Sequence, residues 1–220
     1  MLKKNDLLLL VNNPDSLLDM SYNDISMYLG EQAAKMYQYN QDNPHHCYDL
    51  YTHCVYTVKY LNEIHYDDYI KNCLLTAGLF HDIGKTECAF YKNGVKHFYG
   101  HAPLSRKIAD KILKDMGYSE SECLRIGFYI GHHDDFISFK DIKSESVLKL
   151  VRRVIKDEKE KYNHDITIDY FIELMELCYS DAMSQSDAVY KDGRLVNSKM
   201  QKIEKTLKIK EILIKNRHLL

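Results

Sequence analysis

The feature that most constrains this chain is Leu79-Phe80-His81-Asp82-Ile83-Gly84-Lys85. It follows an apolar run, Cys73 to Phe80, that reads as a buried helix. An imidazole, a carboxylate, a glycine and an ammonium then arrive within five residues. Polar groups leaving a buried helix need partners, because burying each one unpaired costs about 2–7 kcal/mol. A metal ion is the simplest partner for adjacent His and Asp. The plainer reading makes Gly84 a helix cap and sets Lys85 against the helix dipole. Both readings can hold together.

Metal-capable residues recur along the chain where helices should be buried or should end. His53 lies within a predicted helix over 48–64, and His101 precedes another over 102–116. His132-His133 ends a third over 119–131, and Asp181 sits inside a strongly apolar one over 167–183. A lone buried carboxylate such as Asp181 is costly as core filler. Eleven histidines in 220 residues supply many imidazoles, the commonest metal-ligating side chain. At least one of His132 and His133 is expected to ligate. Helix neighbours point about 100° apart, so the second can face substrate instead. Asp49 is four residues before His53, on the same helical face, and is read as a helix N-cap. Asp134 and Asp135 are read as exposed.

The remaining pattern is helical. Apolar spacing predicts about eight helices, including one over 21–39, one over 144–157 and a lysine-rich one over 198–215 whose charges read as a solvated face. Ser119 with Glu122 three residues on is a capping box. Glu87 to Phe98 reads as a β-hairpin turning on Asn93-Gly94, the pair favoured for a tight type I′ turn. Residues 184–197 read as a loop with Asp192-Gly193 as a turn signal. The expected fold is all-α with this one small hairpin at about residues 87–98. A single domain over 1–220 is expected, with a motif-bearing core at about 43–185 and helical extensions at both ends.

Composition narrows the partners. A net charge of −2 argues against a dedicated DNA-binding surface but leaves a nucleotide or an RNA end as substrate. No apolar run reaches the ~20 residues of a membrane span. Six singly scattered cysteines and no recognisable signal peptide point to a cytoplasmic protein.

The series His53, His81-Asp82, Asp181 resembles the signature of the HD-domain metal-dependent phosphohydrolases. His101 and His132/His133 resemble the additional ligands of members with two metals. Locally, Asn43-Pro44-His45-His46-Cys47-Tyr48-Asp49-Leu50-Tyr51-Thr52-His53, His81-Asp82-Ile83-Gly84-Lys85 and His97-Phe98-Tyr99-Gly100-His101 are similar to the HD domain of tRNA nucleotidyltransferases, the CCA-adding enzymes. The Gly-Ser and paired-aspartate motifs of their polymerising head are missing, so CCA addition is not implied. The resemblance implies a helical bundle that hydrolyses a nucleotide phosphomonoester or phosphodiester, in its most specific form as a 2′,3′-cyclic phosphodiesterase or nucleotidase. The alternative is a non-catalytic module that binds metal and a nucleotide or RNA 3′ end. The implied metal ligands are His53, His81, Asp82, His101, His132, His133 and Asp181, holding two divalent ions (Mn, Fe, Ni, Co or Zn, with Mg an option). Asp82 has two oxygens and so can bridge two cations. Lys85 is placed to act on the phosphate, and Arg106 to help bind substrate.

Overall fold

The computed structural model describes residues 1–42, 45–137, 139, 141–187, 189–191 and 194–219. Asn43 and Pro44 of the motif before His53, and the Asp192-Gly193 turn signal, lie outside the described residues.

Helix α6 (Asp68–Phe80) is the centre of the bundle, and its sequence says why. Eight consecutive residues, Cys73 to Phe80, are buried. A helix apolar on every side must be surrounded, and α6 is packed by α1 (Lys4–Asn12), α5 (Leu50–Asn62), α9 (Glu120–His132) and α11 (Ile168–Met183). Asp67 caps its start by accepting from the Ile70 amide at 3.0 Å. Asp49 does the same for α5, accepting from the Tyr51 and Thr52 amides, so its cap role is realised.

Around this centre α8 (His101–Met116) lies on α9, and α12 (Ser198–Lys215) on α11 and α10 (Ser144–Tyr162). The Ser119–Glu122 capping box forms at the start of α9. Strands β1 (Phe90–Lys92) and β2 (Val95–His97) pair antiparallel with Lys92 opposite Val95. Asn93 and Gly94 both have positive φ, 53° and 75°, as a type I′ turn requires.

Three expectations change. The N-terminal helix predicted over 21–39 is broken at Gly30 into α3 (Tyr22–Leu29) and α4 (Glu31–Ala34), after the short α2 (Asp15–Leu18). A short α7 (Lys85–Cys88) follows the central motif. The segment read as a loop contains a second antiparallel hairpin, β3 (Val189–Lys191) with β4 (Arg194–Val196). The whole is predominantly α-helical, and among the described residues no helix is long and apolar enough to cross a membrane.

Candidate metal centre

Asp82 stands where the central helix ends, and each of its two oxygens faces a different cluster. Oδ2 lies 3.5 Å from His53 Nε2 and 3.3 Å from His81 Nε2. Oδ1 lies 3.0 Å from His101 Nε2 and 3.5 Å from His133 Nε2. Asp181 joins the first cluster, with Oδ1 3.0 Å from His53 Nε2 and 3.7 Å from His81 Nε2. The structure therefore brings six of the seven predicted ligands together: α5 supplies His53, the end of α6 His81 and Asp82, the start of α8 His101, the end of α9 His133, and α11 Asp181.

The ring tautomers are set by what lies behind each imidazole. The Nδ1 atoms of His81, His101 and His133 sit 2.9, 2.9 and 2.8 Å from the carbonyls of Gly78, Phe98 and Ile130. A carbonyl only accepts, so each Nδ1 carries the hydrogen and donates it. His53 Nδ1 donates to Ser184 Oγ at 2.8 Å, and that hydroxyl donates onward to the Asp181 carbonyl. In the neutral rings every Nε2 lone pair then points inward, the arrangement that carbonyl partners impose on metal-ligating histidines.

A cation fits these donor sets. His53 Nε2, His81 Nε2 and Asp82 Oδ1 are buried without a hydrogen bond. The Nε2 atoms of His101 and His133 face each other at 3.1 Å, which sets two lone pairs in opposition unless a cation or proton lies between them. A tetrahedral ion with bonds of about 2.0–2.2 Å separates its ligand atoms by about 3.3–3.6 Å. The observed separations of 3.0 to 3.7 Å bracket that span. Two clusters, His53–His81–Asp82 and Asp82–His101–His133, are thus positioned to chelate a pair of divalent ions that share Asp82.

Protons compete for the same atoms. Burial disfavours charge on His81 and His101, yet the facing carboxylates raise both above the ordinary imidazole value of 6.5, His81 well above it. Metal must displace those protons. Apparent metal affinity is therefore expected to rise with pH between about 6 and 8, by up to about tenfold per unit for each proton displaced. Titrations with manganese at three pH values check this, and a pH-independent affinity would contradict it.

Gly84 holds the motif against α8, but not as a left-handed cap, since its φ is −68°. A Cβ there would lie 2.7 Å from the His101 carbonyl oxygen and from the Ser105 amide nitrogen. The Gly84 amide also donates to Ser105 Oγ at 2.8 Å. Without a side chain, the His81–Asp82 turn can approach the start of α8 closely enough for Asp82 to meet His101.

Two predicted site residues are placed elsewhere. His132 turns away from Asp82: Nδ1 lies 2.7 Å from Asp135 Oδ2 and Nε2 3.1 Å from Glu158 Oε1, so both ring nitrogens face carboxylates rather than the clusters. Arg106 runs across Gly127 and Gly131, where added Cβ atoms would lie 3.0 and 3.1 Å from its side chain. It ends in a two-pronged pair with Glu158 and stacks 3.6 Å from the ring centroid of Tyr162. Its guanidinium is committed to Glu158, and Arg106 is not among the residues that line the cavity over the clusters.

Glu158 is buried and gathers Arg106, His132 and His164 around one carboxylate. Burial opposes its charge, but His132, His164 and Arg106 together hold its pKa far below the ordinary 4.5. Glu158→Gln leaves the guanidinium buried without its counter-charge, which is expected to cost about 3–5 kcal/mol and roughly 6–20 °C in Tm. A depressed carboxylate stabilises fully above its unfolded pKa and loses that contribution as pH falls toward its folded one. Melting curves should show the gap between wild type and variant widest near pH 6 and narrowing below about 4.5.

Lys85 is buried, its Nζ 2.7 Å from Asp82 Oδ2 and 3.1 Å from Gln41 Oε1. It is held by the bridging carboxylate rather than free, though it still lines the cavity over the clusters. Sequence reasoning missed three neighbours. Asp134, read as exposed, lies with Oδ2 3.2 Å from His101 Nε2. His46 packs edge-on to His53 with its Nδ1 buried and unbonded. Gln185 donates from Nε2 to both oxygens of Asp181 at 3.2 and 3.3 Å. The adjacency of Asp134 to His133 was the one available signal among these.

No curated protein matches the chain significantly. Residues 50–189, more than half of the chain, match the family described as the HD domain. That span begins at α5 and contains every member of both clusters. The chain belongs to the HD-domain family and, with two His/Asp clusters sharing Asp82, is a metal-dependent phosphohydrolase.

Proposed function

We propose that this chain hydrolyses a phosphomonoester or phosphodiester of a nucleotide, in its most specific form as a 2′,3′-cyclic phosphodiesterase or nucleotidase. The observation that carries the reading is the pair of clusters on Asp82 opening into a cavity of about 950 Å³, near the upper end of small-molecule sites. The local similarity of 97–101 and of the motif around His81 to the HD domain of CCA-adding enzymes supports a nucleotide or RNA 3′ end as the substrate. We further propose a single domain over 1–220 that works in the cytoplasm, in keeping with its scattered free cysteines.

In this reading His53, His81, Asp82 and Asp181 hold one cation, and Asp82, His101 and His133 the other, with Asp134 beside the second. Imidazole-rich sets favour manganese, iron, cobalt, nickel or zinc, while magnesium is more weakly suited. When bound, such a pair polarises the phosphoryl group and the attacking water. The protein supplies orientation. The carbonyls behind the imidazoles hold the rings, Lys85 fixes Asp82 from the side, and Gln185 fixes Asp181. Lys85 also presents its charge at the wall of the cavity, where negative charge develops on the phosphoryl oxygens.

The test is turnover of p-nitrophenyl phosphate and bis(p-nitrophenyl) phosphate by protein loaded with manganese or nickel, followed by a panel of nucleotides. Hydrolysis of either chromogenic ester, and of at least one nucleotide, is the expected result. Protein that carries two metals and hydrolyses none of them would instead be a metal- and nucleotide-binding module.

A further inference from the structure

The cavity above the metal clusters has a second wall, and α12 builds it. Ser198, Gln201, Lys202 and Lys205 line the cavity from that helix. The family match ends at residue 189, before α12 begins, so this wall is an addition to the shared core.

Charge distribution in the wall is one-sided. Among the described residues, the only carboxylates lining the cavity are Asp82, Asp134 and Asp181, all of which face the metal clusters. Elsewhere on α12, Lys199, Lys210 and Lys215 each pair with a carboxylate, at 3.1, 2.6 and 2.6 Å, and Lys208, which pairs with none among the described residues, is exposed to solvent. The two lysines that face the cavity pair with no carboxylate either. Lys205 donates to the Ile137 carbonyl at 2.5 Å, and Lys202 makes no hydrogen bond or ion pair among the described residues. They stand three residues apart on one helix, where like charges repel. Burial and the neighbouring Lys202 push the Lys205 ammonium below its ordinary pKa. Lys202 and Lys205 are half-buried, while Lys208 and Glu211 on the same helix are exposed.

Two unneutralised cations kept side by side at half-buried positions, facing a cavity much larger than one phosphate, are explained by an anionic ligand. At the metal clusters it is Lys85 that pairs with the shared carboxylate, which leaves Lys202 and Lys205 for a second anionic group. On a different part of the wall, His97 and Tyr99 pack ring to ring with Phe90 and offer aromatic surface to a base.

We infer that Lys202 and Lys205 form a seat for a second phosphate of the substrate, so that the preferred substrate is a nucleotide carrying a phosphate apart from the scissile one. This rests on the hydrolase reading for the phosphate at the metals. Lys202 is then a specificity-determining residue. A charged hydrogen bond to phosphate is expected to contribute about tenfold or more in affinity.

The experiment compares adenosine 3′,5′-bisphosphate with adenosine 5′-monophosphate by calorimetric binding to the full-length, metal-loaded protein at low ionic strength. Turnover of p-nitrophenyl phosphate and bis(p-nitrophenyl) phosphate is followed in parallel. Wild type should bind the bisphosphate about tenfold or more tightly than the monophosphate. Lys202→Met should lose that preference, and Lys202→Arg should keep most of it. Metal content and p-nitrophenyl phosphate turnover should stay within about twofold of wild type in both variants, because that ester carries no second phosphate. Equal affinities in wild type, or a preference that survives in Lys202→Met, would overturn the seat. Failure to hydrolyse both p-nitrophenyl phosphate and bis(p-nitrophenyl) phosphate alongside a bisphosphate preference would instead count against the hydrolase reading alone.

Discussion

Asp82→Ala is expected to lose both metals and all measurable turnover, the largest effect of any single substitution in this chain. Among the described residues Asp82 is the one residue common to the two clusters, with one oxygen facing each. Removing those oxygens leaves His53, His81 and Asp181 on one side and His101 and His133 on the other, each set short of the shared ligand. It also strips Lys85 of its counter-charge in a buried position. Asp82→Asn is the informative companion. It keeps the volume and one oxygen but removes the charge, so it separates bridging from space-filling. Both variants should be read by metal analysis as well as by rate. Retention of metal at the wild-type level in Asp82→Ala would remove Asp82 from the centre.

Lys85→Met carries the second large effect. Methionine keeps most of the apolar stem and removes the ammonium, which lies 5.3 Å from the centroid of the Phe98 ring. Burial opposes that charge, but Asp82 holds the Lys85 pKa above its ordinary value, so it stays positive at any working pH. Two consequences follow from its position. As the partner of a metal-binding carboxylate, its loss is expected to weaken metal affinity by about 10–100-fold. As a fixed charge on the cavity wall, its loss is expected to lower turnover by about 10²–10³ even when metal is saturating. Measuring turnover across a metal titration separates the two. A drop that saturating metal fully repairs would confine Lys85 to orienting Asp82. A rate within about threefold of wild type at every metal concentration would leave it only a helix-end charge, worth about 0.3–1 kcal/mol of stability.

The sequence carried the centre well because its chemistry is local. His81, Asp82, Gly84 and Lys85 are contiguous, and the apolar helix before them shows where they must emerge. The hairpin over 90–97 was legible for the same reason, since Asn93-Gly94 names its own turn. What failed was decided by distant partners. His132 and His133 are neighbours of equal chemical merit, and their assignment depends on Glu158, twenty-six residues on, which takes His132 into a different network. Arg106 was read as a free cation because nothing near it shows that α9 offers Gly127 and Gly131 as a path to Glu158. Lys202 and Lys205 looked like the rest of a lysine-rich helix, and only the packing of α12 beside the cavity distinguishes them. The second hairpin was within reach, because Asp192-Gly193 flanked by short β-prone segments is a hairpin signal.

Two clusters on Asp82 call for two cations that share it, one of them held from the far side by His101 and His133. Metal content per chain, measured on wild type beside His101→Ala, tests this most directly. His101 lies at the first residue of α8 and away from the first cluster, so its removal should leave the fold and that cluster intact. The predicted result is near two equivalents in wild type and about one fewer in His101→Ala. The same content in both proteins would rule out the second cation and return the centre to a single one held by His53, His81, Asp82 and Asp181.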